Sequence, residues 1–154
     1  MSKTYTITVT EDQAKCIQDA TELLSRIMGG QWNEIGDWLP LRKDMDYEEY
    51  HQDMNIIGAI LSKHMKDGID GRSASFGVGC PHLHRYHDIA WDLCKVIKHH
   101  TSWQYAMEQG WVEDFNSPRD WTNMLGCAYD EPMVFGLEPL AKMEKVKEVE
   151  EKYL

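Results

Sequence analysis

The densest group of potentially reactive side chains lies between Cys80 and Asp88, where Cys80, His82, His84, His87 and Asp88 crowd one short stretch. Imidazole and thiolate suit zinc, but structural zinc sites draw two ligand pairs from separate segments, and only one half is present here. His84 and His87 at i,i+3 share a helix face, whereas His82 and His84 at i,i+2 diverge. The plainer reading is a His-rich helix start in water, and no tightly bound metal is expected.

His87-Asp88 also supplies the dipeptide of HD-type metal-dependent phosphohydrolases, in which imidazole and carboxylate hold a metal that activates water. That chemistry needs a further His and a further Asp, for which His51 or His64 upstream and Asp114, Asp120 or Asp130 downstream are available. A nucleophilic site has less support. No Gly-x-Ser-x-Gly elbow is present, and Cys94 falls inside a helical seam rather than at a helix N-terminus, where its thiolate would be stabilised. No catalytic residue and no cofactor are expected.

Binding chemistry has more to draw on. Lys95, Lys98, His99 and His100 run along one helix with Trp91 and Trp103, combining cations that neutralise phosphates with rings on which a nucleobase stacks, at about 1–3 kcal/mol per base. Trp103 and His100 also fall on the apolar seam of that helix, so a core role competes with a ligand role. In the glycine-rich stretch 67–79, Arg72, Ser73 and Ser75 supply donors and the glycines allow close backbone approach to an anion. A plain connecting loop reads equally well there, and no P-loop ending follows.

These residues are carried by a predominantly helical pattern. From Pro81 to Gln109, Ile89, Leu93, Val96, His100, Trp103 and Met107 recur at four-three spacing and predict a buried face, with Asp88, Trp91, Asp92, Lys95, Lys98, His99 and Ser102 mainly opposite. Upstream, Thr4–Thr10 alternates like a half-buried strand. Thr10 and Gln13 then form a capping box for a helix running to about Met28. Its expected inner stripe is Cys16, Ala20, Leu23 and Ile27, with Lys15, Asp19, Glu22 and Arg26 outside. Gly29-Gly30 ends it, and a short helix over Gln31–Leu39 follows, stopped by Pro40. Asp46 caps a third, core helix with Tyr50, Met54, Ile57 and Leu61 inward. Downstream, Pro118 is expected to open a short helix, Met133–Gly136 a second strand, and Glu138–Leu154 a terminal helix. The expected fold is a single mainly α domain over residues 1–154, with a small two-stranded β element (α+β).

A 154-residue chain that is 42% apolar, with six Trp and seven Tyr, can build one core. Its net charge of −10 disfavours a nucleic-acid polymer but leaves room for a small anion in a locally cationic pocket. The four widely spaced cysteines are expected to be free thiols. No membrane span and no signal-peptide core are apparent, so a cytoplasmic location is expected.

Three stretches, ITVTEDQAKCIQDATELLSRIMGGQWNEI, SASFGV and IAWDLCKVIKHHTSW, together resemble a family of small phage proteins, the anti-CBASS sponges, over roughly Ile7 to Trp103. Such proteins bind cyclic dinucleotides such as 3′3′-cGAMP and so starve the host's defence effectors. The resemblance implies a homotetramer that holds ligand between subunits without catalysis. It carries over Arg26, Gln31, Ser75, Phe76, Asp92, Lys98, His99 and Trp103, while His100 departs from the pattern beside His99. With the residue reading, the candidate ligand set is Arg26, Gln31, Arg72, Ser75, Phe76, Lys95, Lys98, His99 and Trp103. The rival expectations are an HD-like phosphohydrolase acting on nucleotides through His87 and Asp88, and a structural or host-protein-binding phage protein using the aromatic segment Trp111–Tyr129.

Overall fold

Helix α1 starts where its cap chemistry places it. In the computed structural model, which describes residues 4–39, 42–64, 77–114 and 132–146, α1 spans Glu11–Met28. The Gln13 N–H donates to Thr10 Oγ1 at 3.2 Å and the Thr10 N–H donates to Gln13 Oε1 at 2.9 Å, so two otherwise orphaned donors satisfy each other. Gly30, at φ 83, turns the chain out of the helix. The following segment Trp32–Trp38 forms a 3₁₀ helix. Helix α2, Tyr47–Ser62, begins at Asp46, whose Oδ1 accepts the Glu48 and Glu49 N–H groups. Helix α3, Arg85–Glu108, begins at His84, whose Nδ1 accepts the Tyr86 N–H at 3.2 Å.

α1 packs along α3, and the 3₁₀ helix links α1 to α2. The core lies mainly on α3, where Ala90, Cys94, Val96, Ile97, Trp103 and Ala106 are buried, with Val112 beyond the helix end. The buried face of α1 is only partly the expected one: Leu23 and Ile27 of the expected stripe are half-buried. Ala14 and Ser25 are buried while Cys16 and Ala20 are exposed, and Glu22 and Arg26, expected outside, are half-buried toward α3.

α3 is covered on two sides, which explains why its buried set exceeds one stripe. α1 covers one flank. On another, residues 132–146 run without regular structure, and the Phe135 and Gly136 N–H groups donate to the Asp92 carboxylate at 2.7–3.1 Å. Asp92, expected on the polar face, is therefore 6% exposed. The terminal helix expected from Glu138 is absent through Val146. Thr4–Thr10 and Met133–Gly136 form no strand pair, and no strand occurs among the described residues. α2 is not a core helix: only Met54 is buried, and Ile56, Ile57 and Ile60 are about half exposed. Its neighbour is the 3₁₀ helix, where the Tyr50 hydroxyl occupies the place a Cβ on Gly36 would take. His51 and His64 are exposed. No described helix is long and apolar enough to cross a membrane. The short helix expected at Pro118 lies outside the described residues.

Candidate functional site

Where the C-terminal part of α1 meets the start of α3, a cleft of about 170 Å³ opens between Ser25, Arg26, Gln31, Gly77, Val78, His87 and Trp91. Each wall follows from local sequence. The end of α1 turns at Gly29-Gly30 and brings Gln31 back under Arg26, so that Arg26 Nη1 donates to Gln31 Oε1 at 3.0 Å. Arg26 also holds Glu22 through Nε at 3.0 Å and Nη2 at 2.7 Å, and reaches Glu34 at 3.3 Å. Two N–H groups converging on one carboxylate oxygen, Glu22 Oε1, one helical turn earlier fix the guanidinium plane.

Burial alone would raise the Glu22 carboxyl, but the Arg26 hydrogen bond and charge outweigh it, with Lys98 and Lys95 adding to the effect, and the group lies below its ordinary value. Arg26 is raised in turn, chiefly by its hydrogen bond to Glu22. Most of the guanidinium is thus committed to positioning. Glu22 Oε2 also lies 3.8 Å from Cys94 Sγ, whose pKa burial pushes up to about 11 with help from the Glu22 charge. That thiol is protonated at neutral pH and unsuited to nucleophilic work.

The opposite wall comes from the first turns of α3. His87 is 4% exposed, and its Nδ1 lies 2.8 Å from Asp88 Oδ1, which also accepts the Gly79 N–H at 3.0 Å. The His-Asp pair therefore clasps the incoming turn, where Gly79 stands at φ 79, to the start of α3. His84 is occupied as a cap and His82 is exposed, so the His-rich run diverges. Among the described residues no three His, Cys, Asp or Glu side chains converge as a metal site. Trp91 supplies the flat surface of the cleft, and Lys95 Nζ sits 4.3 Å from its ring centroid, a cation–π pair one turn apart.

Two of the expected ligand residues, Arg26 and Gln31, line this cleft, and Lys95 adjoins it through Trp91. Lys98 follows on the same side of α3, close enough to Glu22 to lower its carboxyl. His99 is half-buried with its ring 6.1 Å from that of Trp103. Trp103 is 2% exposed and packs with Ala106 and Val112. It is a core residue here and offers no open face to a base. Arg72, Ser75 and Phe76 lie outside the described residues, as does the aromatic segment beyond Asp114. Ser25 and His87 line the cleft without having been expected there, and Trp91, named with Trp103 as a stacking ring but left out of the candidate set, lines it too. The Trp91/Lys95 spacing at i,i+4 is the sequence signal that separates Trp91 from Trp103. Comparison with protein-family models, with characterised proteins and with solved structures found no match.

Proposed function

We propose that this protein binds a cyclic dinucleotide of the 3′3′-cGAMP class and sequesters it without turnover, as a phage-encoded, cytoplasmic homotetramer. The observation that carries the reading is the cleft itself, which unites Arg26 and Gln31 with the Trp91 ring beside the Gly77–Val78 backbone. An indole for stacking, the Gln31 amide held by Arg26 for a base edge, and lysines just outside for phosphate form a nucleotide-binding set. At about 170 Å³ the cleft falls below the roughly 300–1,000 Å³ of a complete small-molecule site. One copy would enclose part of the ligand, and a second copy the rest.

The test is incubation of the purified protein with cyclic dinucleotides, removal of free ligand, heat denaturation and mass spectrometry of what is released. Intact ligand in stoichiometric amount supports sequestration; absence of retention of any cyclic dinucleotide overturns it. One observation keeps a second reading open. His87 lines the cleft and pairs with Asp88 behind it, the dipeptide on which the phosphohydrolase reading rests, and release of linear or cleaved nucleotide would establish that reading instead. A structural or host-binding role through residues 111–129 predicts that neither intact nor cleaved nucleotide is recovered.

A further inference from the structure

Thr4–Thr10 is seven residues of strand-forming chemistry that pairs with no strand among the described residues. Every residue in it is exposed, with Tyr5 at 85%, Ile7 at 70% and Val9 at 38%. The stretch TYTITVT contains no charge, proline or glycine, the residues by which proteins blunt an open strand edge. At its end Thr10 is still extended, at φ −73 and ψ 168, before α1 begins. An uncharged alternating β segment left open invites pairing with another chain.

The occupant that fits is the same segment of a second copy. Laid antiparallel about Ile7, the two segments place Tyr5 opposite Val9, Ile7 opposite Ile7, Thr4 opposite Thr10 and Thr6 opposite Thr8. All six apolar side chains then share one face and the threonines the other, because side chains alternate along a strand. The pairing is its own two-fold image, as an isologous contact between identical chains requires. Shifting the register by two residues leaves one apolar side chain of each strand without an apolar partner. No opposing charges interrupt the ladder, and the acidic start of α1 at Glu11 and Asp12 lies just beyond it.

We propose that Thr4–Thr10 is a self-association strand that pairs antiparallel with its counterpart in a second copy, centred on Ile7. This interface stands independently of the ligand: a chain could pair this way and bind no nucleotide.

The test uses the full chain with Cys16 replaced by Ser, to remove an exposed thiol just downstream. In this register the thiols of Ile7→Cys face each other within disulfide reach. Mild oxidation should convert most of this variant to a covalent dimer, whereas Thr6→Cys should cross-link efficiently only when mixed with Thr8→Cys. Separately, Ile7→Lys places like charges opposite each other and should halve the mass measured by light scattering, with helical circular dichroism unchanged. An unchanged mass for Ile7→Lys overturns the proposal. So does Ile7→Lys dissociating the protein while Ile7→Cys fails to cross-link, which would assign the strand a different partner.

Discussion

The Gly136 N–H donates to Asp92 Oδ2 at 2.7 Å, in a space where a Cβ on Gly136 would stand 3.3 Å from the Ile89 Cα and 3.0 Å from its Cγ1. With the Phe135 N–H on the same carboxylate, this contact fastens residues 132–146 to α3. Asp92→Ala should cost about 2–4 kcal/mol, since it strands two backbone donors and removes charge-assisted bonds. Asp92→Asn should cost about half that. Gly136→Ala should also destabilise, because the added Cβ would meet Ile89 Cγ1 at 3.0 Å and the Asp92 Oδ2 that holds this turn at 3.1 Å, with the helix backbone at Ile89 Cα 3.3 Å away. Thermal melts check this, at about 2–4 °C per kcal/mol for a chain of this size. Unchanged melting for Asp92→Ala would show that the segment is not held through this carboxylate.

Trp91 and Trp103 should separate binding from stability. Trp91→Leu is expected to weaken cyclic dinucleotide binding by about 5–150-fold, the equivalent of about 1–3 kcal/mol of stacking, with a small change in melting. Trp103→Ala should cost about 3–5 kcal/mol of stability by opening the core. Calorimetric titration beside thermal melts reads both. Equal loss of affinity from the two variants, with equal melting, would contradict the assignment of Trp91 to the cleft and Trp103 to the core.

Arg26→Ala should lower stability by about 1–3 kcal/mol, because Glu22 is left half-buried without the two N–H groups that converge on its Oε1. Arg26→Lys should recover only part of this, since an ammonium cannot span both bonds. Adding Glu22→Gln to Arg26→Ala should restore much of the stability but not ligand affinity. A double variant that stays as unstable as the single one would show that the uncompensated carboxylate is not the source of the loss.

Acid should weaken the fold in two stages. Burial, with His99 alongside, holds His100 below its ordinary value of 6.5. The unfolded chain therefore binds that proton first, and stability declines as pH falls below 6.5. Glu22 lies below its ordinary 4.5, so the stability it contributes is present above that pH and is lost as pH falls through its lower folded value. Melting temperature measured against pH should show both declines, and His100→Gln should remove the upper one. A flat profile between pH 7 and pH 5 in the parent protein would exclude the His100 contribution.

The Cys94 thiol, raised to about 11 and fully buried, should resist alkylation at pH 8 while the exposed Cys16 reacts. Peptide mapping by mass spectrometry, before and after denaturation, distinguishes them. Rapid native labelling of Cys94 would mean that the α1–α3 contact opens freely.

The element boundaries were largely legible because they depend on groups a few residues apart. Thr10 with Gln13, Asp46 ahead of α2, and Gly30 after α1 act where their types and spacing place them. Part of the site was also legible: Arg26 and Gln31 meet because one helix end and its turn bring them together. The run of α3 from Arg85 through the lysines followed from its long periodicity, although the helix begins only after the cap at His84 rather than at Pro81.

Which face of each helix is buried was decided only in three dimensions. α1 has a mixed surface, so packing on α3 turns Ser25, Glu22 and Arg26 inward and leaves Cys16 and Ala20 outside. Asp92 reads as a solvent carboxylate until Phe135 and Gly136, more than forty residues later, bring it two N–H groups. Trp91 and Trp103 have the same side chain on the same helix, yet one lines a cleft and the other closes the core. A local pattern fixes where backbone hydrogen bonds begin and end, but burial is a property of the partner surface, and that partner is supplied by distant parts of the chain.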